Sequence, residues 1–214
     1  MISLFIDTSL SFIRIVILRD DKIIDSINEF CDKDLSRLFD IKIKNLFDKN
    51  SLNFRDIKKI YCVTGPGSFT GIRVGMTFAK VLAWSLKIDI IPISELQVLA
   101  SIKCDTDYIA PMIDARRGFV YAGLYDNNLD VVDSDKHILL DDFLAKYEHK
   151  NITYVSYNQF DNINIIKPNI NFMKIINKNS TNSGINPHVL VPNYLKNTEA
   201  EEKLKEKLKN DNNI

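Results

Sequence analysis

Thr64-Gly-Pro-Gly-Ser-Phe-Thr-Gly-Ile-Arg-Val-Gly75 holds Gly65, Gly67, Gly71 and Gly75, four of the seven glycines in a chain of 214 residues. Glycine serves where a backbone must reach positive φ or let another backbone come close. The window follows an apolar run, Ile60 to Val63, and leads into a helical pattern. That predicts a strand, a tight loop and a helix N-terminus, the geometry that also cradles anions. The loop is no Walker A loop, because no Gly-Lys-Ser/Thr follows it. Two uses stay open for its glycines, a phosphate cradle or close packing.

Outward from this window, the pattern predicts elements on both sides. Leu4 to Ile6, Phe12 to Leu18 and Ile23 to Phe30 read as an antiparallel meander, the second strand alternating around Arg14. A helix from about Asp34 to Lys49 gathers Leu35, Leu38, Phe39, Ile43, Leu46 and Phe47 on one side. After the strand Ile60 to Thr64 come a second helix, Thr70 to Leu86, the strand Ile88 to Ile93 and a helix start at Ser94. The order βββαβαβ suggests a mixed sheet with helices packed on it. A new unit begins near Lys103 to Asp107. In it, Tyr108 to Ala115 and Phe119 to Tyr125 flank Arg116-Arg-Gly118 as a hairpin. Val131 to Leu139 and Ile152 to Val155 read as strands, with a short helix between them over Asp141 to Glu148. Asn158 to Asn186 is Asn-rich and weakly periodic, and no internal repeat is visible. Thr198 to Lys209 reads as a helix with Leu204 and Leu208 on one face, supported by Glu199–Lys203 and Glu201–Lys205.

On a helical wheel, Gly71, Gly75, Ala79 and Ala83 form a row of small residues. Val74, Phe78, Val81 and Leu82 lie on one side of it, Ile72 and Met76 on the other. Only Arg73, Thr77, Lys80, Trp84 and Lys87 make a polar strip. The apolar stripe is nearly twice as wide as a sheet surface needs, so a second surface must cover it: the first helix, or a partner protein.

Composition bounds the function. The 28 basic and 28 acidic residues cancel, so nothing global argues for a nucleic-acid binder. Cys31, Cys62 and Cys104 form no C-x-x-C pair and read as reduced thiols. Asp7 interrupts the N-terminal apolar run too early for a signal peptide, and no apolar stretch is long enough to span a bilayer. A cytoplasmic protein is expected, with no membrane partner. His137, His149 and His188 are scattered without metal-ligand spacing, so no metal site is expected. Ser68 lacks the G-x-S-x-G elbow and reads as a helix cap. Asp7-Thr8-Ser9 with Gly65, Gly67 and Ser68 is the candidate anion or nucleotide loop, since carboxylate and hydroxyls there could meet a phosphate or its metal. No complete catalytic constellation is present.

Four blocks in order, Ile6-Asp-Thr-Ser9, the window Gly65 to Gly75, Ile113-Asp-Ala-Arg-Arg-Gly118 with Val120-Tyr121, and Pro192-Asn-Tyr-Leu195, resemble the TsaB (YeaZ) family. The resemblance covers most of the chain. One departure is Lys33-Asp-Leu-Ser36, where the family often starts its first helix with His-Ser or His-Thr. The resemblance implies an α/β, actin-like (ASKHA) two-lobe fold, each lobe ribonuclease-H-like with a mixed sheet flanked by helices. Residues 1–103 would form the first lobe, completed by a C-terminal helix over 192–214, and 104–191 the second. It also implies a scaffold subunit, itself non-catalytic and without a cofactor, required for threonylcarbamoyl transfer to N6 of adenosine 37 in ANN-decoding tRNAs. ATP and metal would reside on a TsaD-type catalytic subunit and a TsaE-type ATPase. A homodimer is expected for the isolated chain, with tRNA met only through the complex. The implied docking residues are Leu38, Phe39, Lys42, Ile43 and Leu46 of the first helix. In the second they are Phe69, Ile72, Arg73, Met76, Thr77 and Lys80. A charge at Met76 is expected to break the complex and spare the monomer. The competing expectation is a small actin-like ATP-dependent phosphotransferase built on Asp7 and the glycine loop.

Overall fold

The structure, a computed structural model, describes residues 1–20 and 22–196. The chain opens with β1 (Ile2–Asp7), β2 (Phe12–Arg19), β3 (Lys22–Phe30) and α1 (Leu35–Lys49). It continues with β4 (Ile57–Gly65), α2 (Phe69–Leu86), β5 (Ile90–Ser94) and α3 (Glu95–Leu99). These strands form one five-stranded sheet ordered β3-β2-β1-β4-β5, antiparallel from β1 to β3 and parallel through β4 and β5.

The second half follows the same plan. It comprises β6 (Tyr108–Asp114), β7 (Phe119–Asp126), β8 (Val131–Leu139), α4 (Leu140–Lys146), β9 (Ile152–Val155), β10 (Ile165–Ile166) and α5 (Phe172–Asn179). Its sheet runs β10-β9-β6-β7-β8, again an antiparallel meander with two parallel strands added to the first strand's free edge. A repeat invisible in the sequence is therefore present in the topology.

Strand side chains alternate faces, and this sorts the core into three layers. Leu4, Ile6, Ile13, Ile15, Ile60 and Cys62 point to α1 and α2. Phe5, Val16, Tyr61 and Val63 point the other way, where α3 and α5 meet Ile109, Ile113 and Tyr125 of the second sheet. Ala110, Met112, Val120 and Ala122 face α4 through Phe143 and Tyr147. The space between the sheets is thus filled by two short helices.

The wide stripe of α2 is covered within the chain on both sides, with Val81 left exposed. On one side α1 closes on it, with Phe39 edge-on to Phe78 at 5.3 Å between ring centroids. On the other, residues 185–195 run back along the first lobe as a strap. Ile185 bridges to Ile90, Lys80 Nζ donates to the Leu190 carbonyl at 2.7 Å, and the Asn193 amide donates to the Thr64 carbonyl at 2.8 Å. The predicted helix over Thr198 to Lys209 lies outside the described residues. Among those residues, no helix is long and apolar enough to cross a membrane.

Candidate functional site

The glycine window and the Asp7-Thr8-Ser9 turn come together, and they interlock. Ser68 caps α2 by accepting from the Gly71 amide at 3.2 Å, while its own amide donates to the Ser9 carbonyl at 2.6 Å. Thr8 Oγ1 donates to the Gly71 carbonyl at 2.7 Å and accepts from the Gly75 amide at 3.0 Å. A Cβ at Gly67 or Gly71 would lie under 3.0 Å from the carbonyl oxygen of Ser9 or Thr8. The small residues thus let α2 lie against the β1–β2 turn, backbone on backbone. At Gly65, held at φ 115°, the strap approaches instead, its Asn193 carbonyl within 3 Å of where a Cβ would stand.

Asp7 is buried and its carboxylate is occupied. Oδ1 accepts from the Ser9 amide at 2.8 Å and from Ser9 Oγ at 2.7 Å, and Oδ2 pairs with Arg14 Nη1. Arg14 also donates to Glu95 Oε1 at 3.0 Å and to the Tyr157 hydroxyl at 3.2 Å, and its guanidinium lies 4.7 Å from the Phe12 ring centroid. Arg14, Asp7 and Glu95 are all fully buried. Burial, then the adjacent Asp7 charge, pushes the Glu95 carboxyl up to about 8, against the opposing pull of Arg14 and Ser9. Ser9 Oγ also lies 2.9 Å from Glu95 Oε2. A hydroxyl has one proton for two carboxyl groups, so a protonated Glu95 donating to Ser9 satisfies both contacts. One arginine, one carboxylate and one neutral acid then leave the buried cluster without net charge.

Sequence reading saw Arg14 only as a break in an alternating strand, and Glu95 only as a helix start. The available signal was Arg14 sharing a strand face with Val16 and Leu18, since a charge on a buried face demands a partner. A third carboxyl, Asp135, joins the lobes through Ser94, the residue before Glu95. It accepts from the Tyr125 hydroxyl at 2.6 Å and from Ser94, and burial raises its pKa.

The candidate docking residues divide. Phe39, Ile43, Leu46, Ile72 and Met76 are buried in the first lobe's own core, which corrects their expected place on an open face. Met76 is enclosed as part of that core, so an aspartate there would be a buried unpaired charge and is expected to destabilise the monomer itself. Leu38, Lys42 and Lys80 are half-buried, Lys42 paired with Glu29 at 2.5 Å. Phe69, Arg73 and Thr77 are exposed. They line an open groove of about 660 Å³ between α1 and α2, together with Ser36, Asp40 and Val81. Phe69 is 53% exposed, Val81 60% and Trp84 62%. The Arg73 guanidinium lies 3.7 Å from the Phe69 ring centroid, and Phe69 stacks on Tyr194 at 5.3 Å. Among the described residues, no group of three or more His, Cys, Asp or Glu side chains could hold a metal ion.

Two lobes of one strand order around a packed middle layer place the protein in the actin-like class of two-lobed α/β folds. The family model described as TsaD, tRNA N6-adenosine threonylcarbamoyltransferase, matches residues 28–191. The tRNA threonylcarbamoyladenosine biosynthesis protein TsaB of Bacillus subtilis is 38% identical over 154 residues, 70% of this chain and 67% of that protein. Its namesake from Buchnera aphidicola of Schizaphis graminum is 34% identical over 130 residues, 59% of this chain and 61% of that one. The structure of YeaZ from Pseudomonas aeruginosa superposes with a TM-score of 0.72 at 18% identity, covering 91% of this chain and 99% of that one. The chain belongs to the family this model describes, and within it to the TsaB (YeaZ) group.

Proposed function

We propose that this chain is a scaffold subunit of the machinery that places threonylcarbamoyl on tRNA adenosine, and that it docks a TsaD-type catalytic subunit through the α1–α2 groove. The relatives, named as tRNA threonylcarbamoyladenosine biosynthesis proteins, support the pathway. The observation that carries the role is a contrast within one lobe. The turn where an actin-like enzyme would bind a phosphate is filled by Arg14, Ser9 and Glu95, while Phe69 at the start of α2, and Val81 and Trp84 farther along it, are each more than half exposed. Large apolar side chains grouped on one open face mark an interaction surface. Buried in a complex, each contributes about 1.5–3 kcal/mol. A TsaE-type ATPase would join the assembled pair, and an isolated chain would cover the same groove with a second copy.

Val81→Asp tests this docking face. Val81 is exposed, so the variant keeps the melting temperature of the wild type within about 3 °C. Co-expressed with the TsaD-type subunit, it is expected to elute alone on size exclusion where the wild type elutes as a complex. Co-elution of the variant with that subunit would remove this groove from the interface.

A further inference from the structure

The hairpin bend between β6 and β7 is built at odds with its own residue types. Arg116, Arg117 and Gly118 are three consecutive left-handed residues, with φ of 69°, 55° and 78°. Glycine, asparagine or aspartate adopts this region with less strain than a long side chain does. Two successive arginines held in this region store backbone strain, and such strain is a lead to a use for the side chains.

The bend is firmly held. The Ala115 amide donates to the Phe119 carbonyl at 2.9 Å, the Phe119 amide to the Arg116 carbonyl at 3.0 Å, and the Arg116 amide to Asp114 Oδ1 at 2.8 Å. The guanidinium groups are free by comparison. Arg116 has 87% of its side chain exposed and one loose ion pair, 3.6 Å to Asp114. Arg117 is exposed and makes no hydrogen bond or ion pair among the described residues.

The strand that leaves this bend carries rings on one face. Phe119 stacks on His137 at 4.6 Å and 6° between planes, and Tyr121 lies 5.4 Å from the same imidazole. All three are half-buried, on the face opposite Val120 and Ala122, which enter the α4 core. The acidic neighbours Asp114, Asp141 and Asp161 line a hollow together with Val120 and Leu140, on the α4 side. On the ring face the carboxylate Asp135 is engaged by Tyr125 and Ser94, which leaves the two guanidinium groups as the charges at the bend.

We propose that the Arg116–Arg117 bend and the adjoining Phe119, Tyr121 and His137 face form an RNA contact, with guanidinium groups on the phosphate backbone and rings against an unstacked base. Arginine beside partly exposed rings is the chemistry that recognises RNA loops. An acidic protein segment would use the arginines and leave the rings idle. The inference rests on reading the chain as a tRNA-modification subunit. It adds a tRNA contact on this chain's own second lobe, far in sequence from the docking helices.

The test measures fluorescence anisotropy of a labelled, unmodified tRNA transcript with the full chain, alone and bound to the TsaD-type subunit, across a salt series. Arg116→Gly with Arg117→Gly removes the charges and relieves the backbone, so the melting temperature should not fall. This variant is expected to weaken tRNA binding at least about fivefold and to lower the salt slope by roughly one per arginine. Phe119→Leu is expected to weaken binding with the slope unchanged, because stacking releases no counterions. Both variants should still co-elute with the catalytic-type subunit. Unchanged affinity and slope in the double glycine variant would overturn the proposal. So would absence of tRNA binding by the wild type in both states, or loss of the protein partner with tRNA affinity intact. If the wild type captures no TsaD-type subunit, the docking reading fails instead, and the tRNA titration still decides this one.

Discussion

The two lobes share a strand order and differ at one connection. Between β4 and β5 the first lobe places the glycine loop and the eighteen-residue α2. At the matching point between β9 and β10, residues 156–164 form no helix, and the strands shrink from nine and five residues to four and two. In the first lobe the loop and α2 form a packing joint against the β1–β2 turn, and the second lobe has no helix at the matching point among the described residues. The exposed apolar side chains of α2 therefore have no counterpart on a second-lobe helix at that point.

If the loop is a joint, breaking it should cost more than any other small change in the molecule. Alanine in place of a helical glycine ordinarily stabilises by about 1 kcal/mol. At Gly71 the sign should invert, because the new Cβ meets the Thr8 carbonyl oxygen under 3.0 Å away, with backbone on both sides and no side chain to yield. Gly71→Ala is expected to lose about 3 kcal/mol or more in urea denaturation, through overpacking and the loss of the Thr8 bonds to α2. A loss under about 1 kcal/mol would mean that the turn and the helix part easily, and that the loop could open to a phosphate.

The next effect sharpens how the lobes are joined. With its carboxyl pushed up to about 8 from the ordinary 4.5, Glu95 holds its proton in the folded state where the unfolded chain has lost it. Its contribution to stability is complete below about pH 4.5 and declines as pH rises toward about 8, by at most about 1.4 kcal/mol per pH unit. Glu95→Gln supplies a neutral group with one donor for Ser9 and one acceptor for Arg14, in nearly the same volume. The slope of stability against pH should flatten in this window, with little change at its acid end. Denaturation midpoints taken across the window check this. A slope as steep in the glutamine variant as in the wild type would show that Glu95 is ionised inside the cluster.

Much of the first lobe was legible because its signals are local. Strands alternate, helices repeat, and the Gly65–Gly75 window announces a loop followed by a helix. The Arg14–Glu95 pair spans 81 positions, and only the fold brings it together. The side of α2 that faces solvent was misread at Ile72 and Met76 for the same reason. Their cover includes the strap around Leu190, over a hundred residues away, whose bond to Lys80 no periodicity records. In the Asn-rich stretch, α5 has only eight residues and buries Asn179 beside Ile175 and Ile176, so its buried face is not purely apolar. β10 is two residues long and is defined by its pairing with β9.

The smallest effect completes the comparison, because it sets a glycine of the second lobe against Gly71. Gly118 sits at φ +78°, in the left-handed region, yet an added Cβ would meet nothing within 4 Å. Gly71 has helical backbone and no space; Gly118 has space and unfavourable backbone. Gly118→Ala is therefore expected to cost only the backbone term, about 1 kcal/mol. That is a drop of roughly 3 °C in a thermal melt for a chain of this size. Judged by φ alone, Gly118 would be the more sensitive position. The reverse ranking follows if close approach decides the first lobe and turn geometry the second. Equal losses at the two sites would mean that the glycine window is no more than another turn.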